Sequence, residues 1–303
     1  MRIALLSRKR SLYTTRRLVE TARAMGHEPV VLDPMKCFLL LARRSPQIYY
    51  AAADRPLPPM DLVIPRIGAS VTEHGLAVVN QFDMMGVPIV NNSQPIARSR
   101  DKLRCFQLLT RKNINMPRTV VAREPHQVGP ALEAVGGPPV VLKLIRGTQG
   151  VGVILAETEQ AVLSVLDTLW SLGQMILIQE FVAESEGRDI RALVVGNRVV
   201  TAMRRQARFG EFRSNIHRGG GATVVELNED YKRAAIQATH VMGLQLAGVD
   251  LLESHEGPKV MEINSSPGFE GLERATGLDI ARVLLEFSVR FARRRGSLAW
   301  RKS

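Results

Sequence analysis

The sequence predicts an α/β domain that continues into an α+β region, and three observations carry this. The first 93 residues alternate β-branched strands with amphipathic helical segments. From about residue 140 onward, apolar strands meet through glycine-containing turns, the pattern of antiparallel hairpins. A hydrophobic fraction of 45% with 23% charged residues over 303 positions describes a globular chain long enough for two or three cores.

"MRIALLS" reads as the first strand, "LYTTRRLVETARAMGH" as a helix ending near Gly26, and "EPVVLD" as a second strand that closes a βαβ unit. After the apolar "CFLLLA" and the proline-rich "DRPLPPMD", "LVIPRIG" is a strand, "GLAVVNQFDMMG" a helix and "VPIVN" a strand. This first domain is assigned to residues 1–93. No glycine fingerprint follows its first strand, which argues against nucleotide binding there. "PIARSRDKLRCFQLLTRKN" is helical and bridges into a second unit, residues 94–180. That unit holds the short helix "VGPALEAVGG", the strand "PPVVLKLIR", a glycine turn, the strand "VILAET" and the amphipathic helix "EQAVLSVLDTLWSLG". "MILIQEFVAESEGRDIRALVVGNRVVTAMRR" supplies two or three strands turning at Gly196-Asn197 and leads into a third unit, residues 181–303. A glycine-rich loop at 213–222, the helix "DYKRAAIQATHVMG", the hairpin "AGVDLLESHEGPKVMEINSSP" and a last helix from about Asp279 complete it.

The longest apolar runs are too short to span a bilayer, and the N-terminus lacks the apolar core of a signal peptide. Two distant cysteines, Cys37 and Cys105, have no metal-type spacing; both are expected reduced, in the cytoplasm. The net charge of +12 predicts a polyanionic partner, either nucleic acid or an acidic peptide. Six basic residues and no acid lie from Arg290 onward, on either a frayed tail or a binding element.

Four clusters can carry chemistry. In "VLKLIRGTQGVGVIL", Gly147, Gly150 and Gly152 follow Lys143. The spacing is neither a Walker loop nor a dinucleotide fingerprint, and the β-branched run that follows makes it a strand-to-strand hairpin. Lys143 shares its strand face with Val141 and Ile145, so it needs a partner such as a phosphate, unless it lies on a solvent edge. In "QEFVAESEGRDI", Gln179 and Glu180 end an apolar strand; a linker of this kind can read the edge of an adenine, with Asp189 or a nearby acid on the ribose. The plain alternative is an acidic turn. In the late hairpin, a turn near Glu256 places Asp250 opposite Glu262, with Asn264 on the same face. Two adjacent like charges call for a cation, and three oxygen donors suit magnesium; the plain alternative is the polar outer face of a hairpin. In "EFRSNIHRGGGA", Arg213, Ser214, Asn215, His217 and Arg218 form a polar set before three glycines, either a binding loop or a connector. Lys102 is either a surface helix lysine or a phosphate contact.

The order of these clusters resembles the ATP-grasp superfamily of carboxylate–amine ligases. Within it, "IPRIG", "ARSRDKLR", "GTQGVGV", "RSNIHRGG", "AGVD" and "MEINSSPGFEG" resemble the RimK-type glutamate ligases, over the whole chain. The resemblance implies an ATP-grasp fold behind an N-terminal pre-ATP-grasp domain, with the glycine hairpin as the lid of the clamp. It implies that Lys102 and Lys143 contact ATP phosphates, that Glu180 and Phe181 bracket the adenine, and that Asp189 lies near the ribose. Arg213, Ser214 and Asn215 would flank the phosphates and the reacting carboxylate, with His217 and Arg218 toward substrate carboxylates. Asp250, Glu262 and Asn264 would hold magnesium, or manganese, as two ions. The implied reaction adds L-glutamate to the acidic C-terminal tail of a small-subunit ribosomal protein, or to poly-glutamate, through an acyl phosphate. It further implies a homotetramer, no membrane, and only indirect contact with nucleic acid. The alternatives are a ligase of the same clamp acting on a carrier protein, a cofactor tail or a small peptide, and a non-catalytic ribosome- or nucleic-acid-binding module.

Overall fold

In this computed structural model, residues 1–43, 45–68, 72–145, 152–207 and 221–299 are described. Three parallel strands form the first layer. β1 (Arg2–Leu6) lies between β2 (Glu28–Leu32) and β5 (Leu62–Pro65), and its Ile3, Ala4, Leu5 and Leu6 are fully enclosed. The amphipathic helix α1 (Tyr13–Ala24) buries Leu18, Val19 and Ala22 in the core beside it. The predicted strand "VPIVN" is reduced to one parallel bridge between Val63 and Ile89. Pro88 has no N–H to extend the ladder, and Asn91 turns the chain with φ of 70°. The segment around "CFLLLA", with no predicted element, forms an antiparallel ribbon of β3 (Cys37–Leu40) and β4 (Gln47–Tyr50) beside α2 (Thr72–Met84).

The single helix predicted after residue 93 is two helices, α3 (Ser93–Arg100) and α4 (Lys102–Arg111). Asp101 separates them in extended conformation, and its carboxylate caps α4 by accepting the Arg104 N–H at 2.9 Å.

The second sheet is antiparallel, in the order β6 (Thr119–Val121), β9 (Ile176–Glu180), β7 (Val140–Leu144), β8 (Val153–Ala156). Val140, Leu142, Ile176 and Ile178 pack against α5 (Val128–Val135) and α6 (Glu159–Ser171). Alternation then turns Lys143 and Gln179 to the opposite face. The glycine hairpin joins β7 to β8 as predicted, with Lys143 paired to Val153. Gly152 is required there: its φ is +74°, and a Cβ would lie 2.4 Å from Leu144 Cδ1.

The third sheet runs β12 (Gly221–Val224), β11 (Arg198–Gln206), β10 (Arg188–Val195), β13 (Leu246–Leu252), β14 (Lys259–Asn264). Ile190, Ala192, Val194, Ala247, Val249 and Leu251 pack on Ala235, Ala238 and Met242 of α7 (Glu229–Met242). The other face changes character along the strands. Leu193, Val195 and Leu246 join the core under α1, α8 (Glu270–Thr276) and α9 (Ile280–Ala299). Asp189, Arg191, Asp250 and Glu262 continue the same face as a charged row, in which Asp189 and Asp250 are buried. Among the described residues no helix is long and apolar enough to cross a membrane.

Asn91 bolts the first layer to the third. Its Nδ2 donates to the carbonyls of Leu246 at 2.8 Å and Ser265 at 2.9 Å, and its Oδ1 accepts the N–H of Gln245 at 2.7 Å and of Leu246 at 3.2 Å. Four backbone groups, three of them buried, thus depend on one side chain, in a φ region that Asn tolerates better than most residues. Asn91→Gly keeps the backbone conformation and loses all four bonds. It is expected to lower unfolding free energy by about 2–4 kcal/mol in urea titration; a loss within experimental error would show that the bolt is dispensable.

Candidate functional site

The site grows from one row of side chains across the third sheet. Arg191 on β10 pairs with Asp250 on β13, and Asp250 pairs with Glu262 on β14. The next pair places Asp189 on β10 opposite Arg205 on β11. Asn264 lies opposite Gly248, so the hairpin brings Asp250, Glu262 and Asn264 onto one face.

Asp250 is 1% exposed and has two cationic partners. Arg191 donates to it through Nε at 2.7 Å and Nη2 at 2.6 Å, and Arg205 donates through Nη2 at 2.9 Å. Arg205 also forks onto Asp189, with Nε–Oδ1 at 2.6 Å and a second bond from Nη2 to Oδ2. Burial opposes the Asp250 charge, but Arg191 and Arg205 outweigh it and hold the carboxyl below its ordinary pKa. Burial also disfavours the Arg205 charge, and Asp250 and Asp189 together raise its pKa instead. Neither arginine is among the residues expected from the sequence. "RDIR" and "MRRQ" contain the signal: Asp189 and Arg191 are two apart on one face, and Arg205 falls opposite. The expected repulsion between Asp250 and Glu262 is therefore answered first by protein cations.

Asp189 is sealed at 1% exposure behind Arg205, so its carboxylate faces a guanidinium and is closed to a ribose; Glu186 on the same linker is exposed. The Glu180 carboxylate is also engaged. It accepts Arg118 Nε at 2.6 Å and Lys259 Nζ, and so ties β9 to β14. Burial opposes its charge, and Lys259 and Arg118 nonetheless lower its pKa. Phe181, partly buried, follows it.

Lys143 is 8% exposed and donates to Gln179 Oε1 at 2.5 Å; Gln179 in turn donates to Thr119 Oγ1 at 2.8 Å. Burial pulls Lys143 down to about 8, with Glu262 acting in the opposite direction. Lys102, partly buried at the first turn of α4, is likewise lowered by burial and supported by Glu262. One carboxylate thus acts on both lysines. Gly147, Gly150, Arg213, Ser214, Asn215, His217 and Arg218 lie outside the described residues.

The donor set fits a hard cation. Glu262 is exposed and has no hydrogen-bond or ion-pair partner among the described residues. Asn264 Oδ1 accepts one bond, from Ser266 N–H at 2.9 Å, and Asp250 Oδ1 accepts one, so each keeps a lone pair. Among the described residues no three His, Cys, Asp or Glu side chains converge to hold an ion. An ion here therefore needs the Asn264 amide and oxygens from a ligand, as magnesium sites commonly do.

Residues 99–287 match the family model of the RimK-like ATP-grasp domain, and residues 1–96 match that of the RimK pre-ATP-grasp domain. The chain is 52% identical over 287 residues to a probable alpha-L-glutamate ligase 1 of Shewanella denitrificans, covering 95% of this chain and 97% of that one. The crystal structure of a RimK domain protein ATP-grasp from Sphaerobacter thermophilus is similar with a TM-score of 0.71 and 22% identity, over 95% of this chain and all of that one. The ATP-grasp ligase PsnB, solved with a minimal precursor, Mg and ADP, is similar with a TM-score of 0.74 and 19% identity, over 96% of this chain and 98% of that one.

The lowered pKa of Lys143 generates a stability prediction. Below about pH 8 both folded and unfolded chains hold its proton, and the fold carries the full cost of the buried charge. Between about 8 and the ordinary lysine value the unfolded chain binds more protons, so this cost fades as pH rises. Without ligand, Lys143→Met is expected to be more stable than the parent by roughly 1–3 kcal/mol at pH 7, with the gap closing toward pH 10.5. A gap that stays constant across that range would contradict the assignment.

Proposed function

Because the chain belongs to the RimK-like ATP-grasp family, we propose that it is an ATP-dependent, ADP-forming ligase that joins the amino group of L-glutamate to a carboxylate. The observation that supports this most directly is Glu262: a carboxylate without a partner among the described residues, on the face of Asp250 and Asn264, acting on both Lys143 and Lys102.

In the proposed reaction an oxygen of the acceptor carboxylate attacks the γ-phosphorus of ATP, and the bond to ADP breaks. The glutamate amine then attacks the acyl carbon of the resulting acyl phosphate, phosphate leaves, and the amine gives up a proton. Glu262, Asn264 and Asp250 would hold magnesium, or manganese, as two ions, which would supply Lewis-acid neutralisation of phosphate charge. Lys143 and Lys102 add positive charge where the triphosphate lies, and Gln179 fixes the direction of the Lys143 ammonium. Arg191 and Arg205 keep Asp250 ionised and immobile. The backbone after Glu180, with Phe181, borders the adenine, and the exposed Glu186 suits the ribose better than the sealed Asp189. The glycine hairpin covers the phosphates; Arg213, Ser214, Asn215, His217 and Arg218 complete the substrate side. No nucleophilic side chain is needed, since catalysis is positioning and charge neutralisation.

The proposed acceptor is the C-terminal glutamate of a small-subunit ribosomal protein, or a growing α-glutamate chain, in the cytoplasm. Both are acidic, and the net charge of +12 favours them. A homotetramer belongs to the same proposal, and the exposed Phe38, Leu40 and Leu41 on the β3–β4 ribbon support self-association.

The testing experiment is nucleotide analysis. Sustained ADP release is expected when glutamate and acceptor are both present. AMP would indicate adenylation instead, and absence of turnover with every acidic acceptor would indicate a binding module. Glu262→Gln is expected to lower kcat by about 100-fold or more with thermal stability retained; near-normal turnover would remove Glu262 from the site. Activity on a protein acceptor is expected to fall as ionic strength rises beyond about 0.1 M, whereas salt-indifferent activity would leave the basic surface unexplained.

A further inference from the structure

Arg66 stands where the first layer meets the metal strand. It follows β5 directly, and its N–H donates to the Leu6 carbonyl at 2.8 Å, so it lies at the C-terminal edge of the sheet beside the end of β1. β1 has β2 on one side and β5 on the other, which makes this edge the switch point of an open α/β sheet. Ligands bind in the crevice beyond such an edge. The turn that follows Asn264 packs directly against this edge. Arg66 Nη2 donates to the Pro267 carbonyl at 2.7 Å, and Ser266 Oγ donates to the Pro65 carbonyl at 3.4 Å. Gly248 lets Pro267 settle onto β13, since a Cβ there would lie 2.8 Å from Pro267 Cβ. The guanidinium is thus anchored three residues beyond a metal-site residue.

What Arg66 lacks is an anion. No carboxylate among the described residues pairs with it, Nη1 makes no hydrogen bond there, and Nε is buried without a partner. Burial pulls its pKa down to about 10. Arg191, Arg204 and Arg205 on the third sheet each fork onto a carboxylate. Among the described residues, neighbouring Arg100 also donates only to neutral oxygens, the carbonyls of Ile67 and Gly68 and the Thr72 hydroxyl. The exposed Arg8, Lys9 and Arg10 leave β1 at the same edge and add positive potential. A small cavity of about 10 Å³, bordered by Arg66, Asn91, Ser265 and Pro267, has room for one water at most, which can satisfy Nε but not the charge.

We propose that Arg66 is a substrate-binding residue that grips a non-reacting carboxylate of one of the two substrates through Nη1 and Nη2. The fork geometry suits a carboxylate bidentately. The proposal rests on the ligase reading above, and it assigns substrate recognition to the N-terminal domain, outside the ATP clamp.

The test uses full-length Arg66→Met and Arg66→Lys with L-glutamate and a tetra-α-glutamate peptide as substrates, reading ADP release. Binding of a non-hydrolysable ATP analogue with magnesium is measured alongside. Arg66→Met is expected to bind the analogue within about twofold of the parent, while KM for one carboxylate substrate rises by at least about 10-fold. Varying L-glutamate at fixed peptide, and then the reverse, tells which substrate supplies the carboxylate. Replacing that carboxylate by its amide is expected to penalise the parent but not Arg66→Met. Arg66→Lys is expected to fall between, and carries the test if Arg66→Met does not fold. Both KM values unchanged, or weakened analogue binding in place of a KM effect, would overturn the inference and leave Arg66 a bolt between layers. A parent chain that neither binds the analogue nor releases ADP would instead overturn the ligase reading itself.

Discussion

Asp250 is held by two arginines, and much of the site's geometry depends on that arrangement. A carboxylate at 1% exposure is expensive to ionise, and the fork from Arg191 and the second contact from Arg205 keep it charged. The same Arg205 satisfies Asp189, so two acids and two guanidiniums lock four positions on three adjacent strands. Removing one partner from a buried pair of this kind typically costs about 3–5 kcal/mol, because a charge is left uncompensated. The row fixes where Glu262 stands, and Glu262 is the acid left available to a ligand.

The surrounding layers are tied to this row by few but specific contacts. Glu180 bridges β9 to β14 through Lys259, which fixes the second sheet against the third. Lys143 and Gln179 then face the charged row because the opposite side of their strands is committed to the apolar core under α5 and α6. Asn91 fixes the N-terminal layer to the ends of β13 and β14. Burial of the Lys143 charge is a stability loss carried by the unliganded chain, and a polyanion bound beside it would offset that loss.

Much of the architecture was legible in the sequence because its periodicities are clean. The βαβ start, the glycine hairpin and the late ribbon with Asp250 opposite Glu262 follow from alternation and turn residues alone. Where the reading failed, local pattern was overridden by one residue or by tertiary pairing. "VPIVN" loses its strand to Pro88 and the turn at Asn91, and the long helix breaks because Asp101 caps the second half. Site residues on one element or one late hairpin were visible; those that depend on pairing between strands distant in the chain were not. Arg205 faces Asp189 across one hairpin, but it meets Asp250 only through the order β11-β10-β13, which no local window contains. The engagement of Glu180 by Lys259, 79 positions away, is hidden for the same reason.

The central claim is that the face bearing Asp250, Glu262 and Asn264 seats a divalent ion against a triphosphate. Anomalous scattering from a crystal grown with manganese and a non-hydrolysable ATP analogue tests it most directly. The account predicts a peak within bonding distance of the Glu262 carboxylate and the Asn264 amide oxygen, with phosphate oxygens completing its shell. Manganese bound to the phosphates alone, with Glu262 turned to solvent, would contradict it.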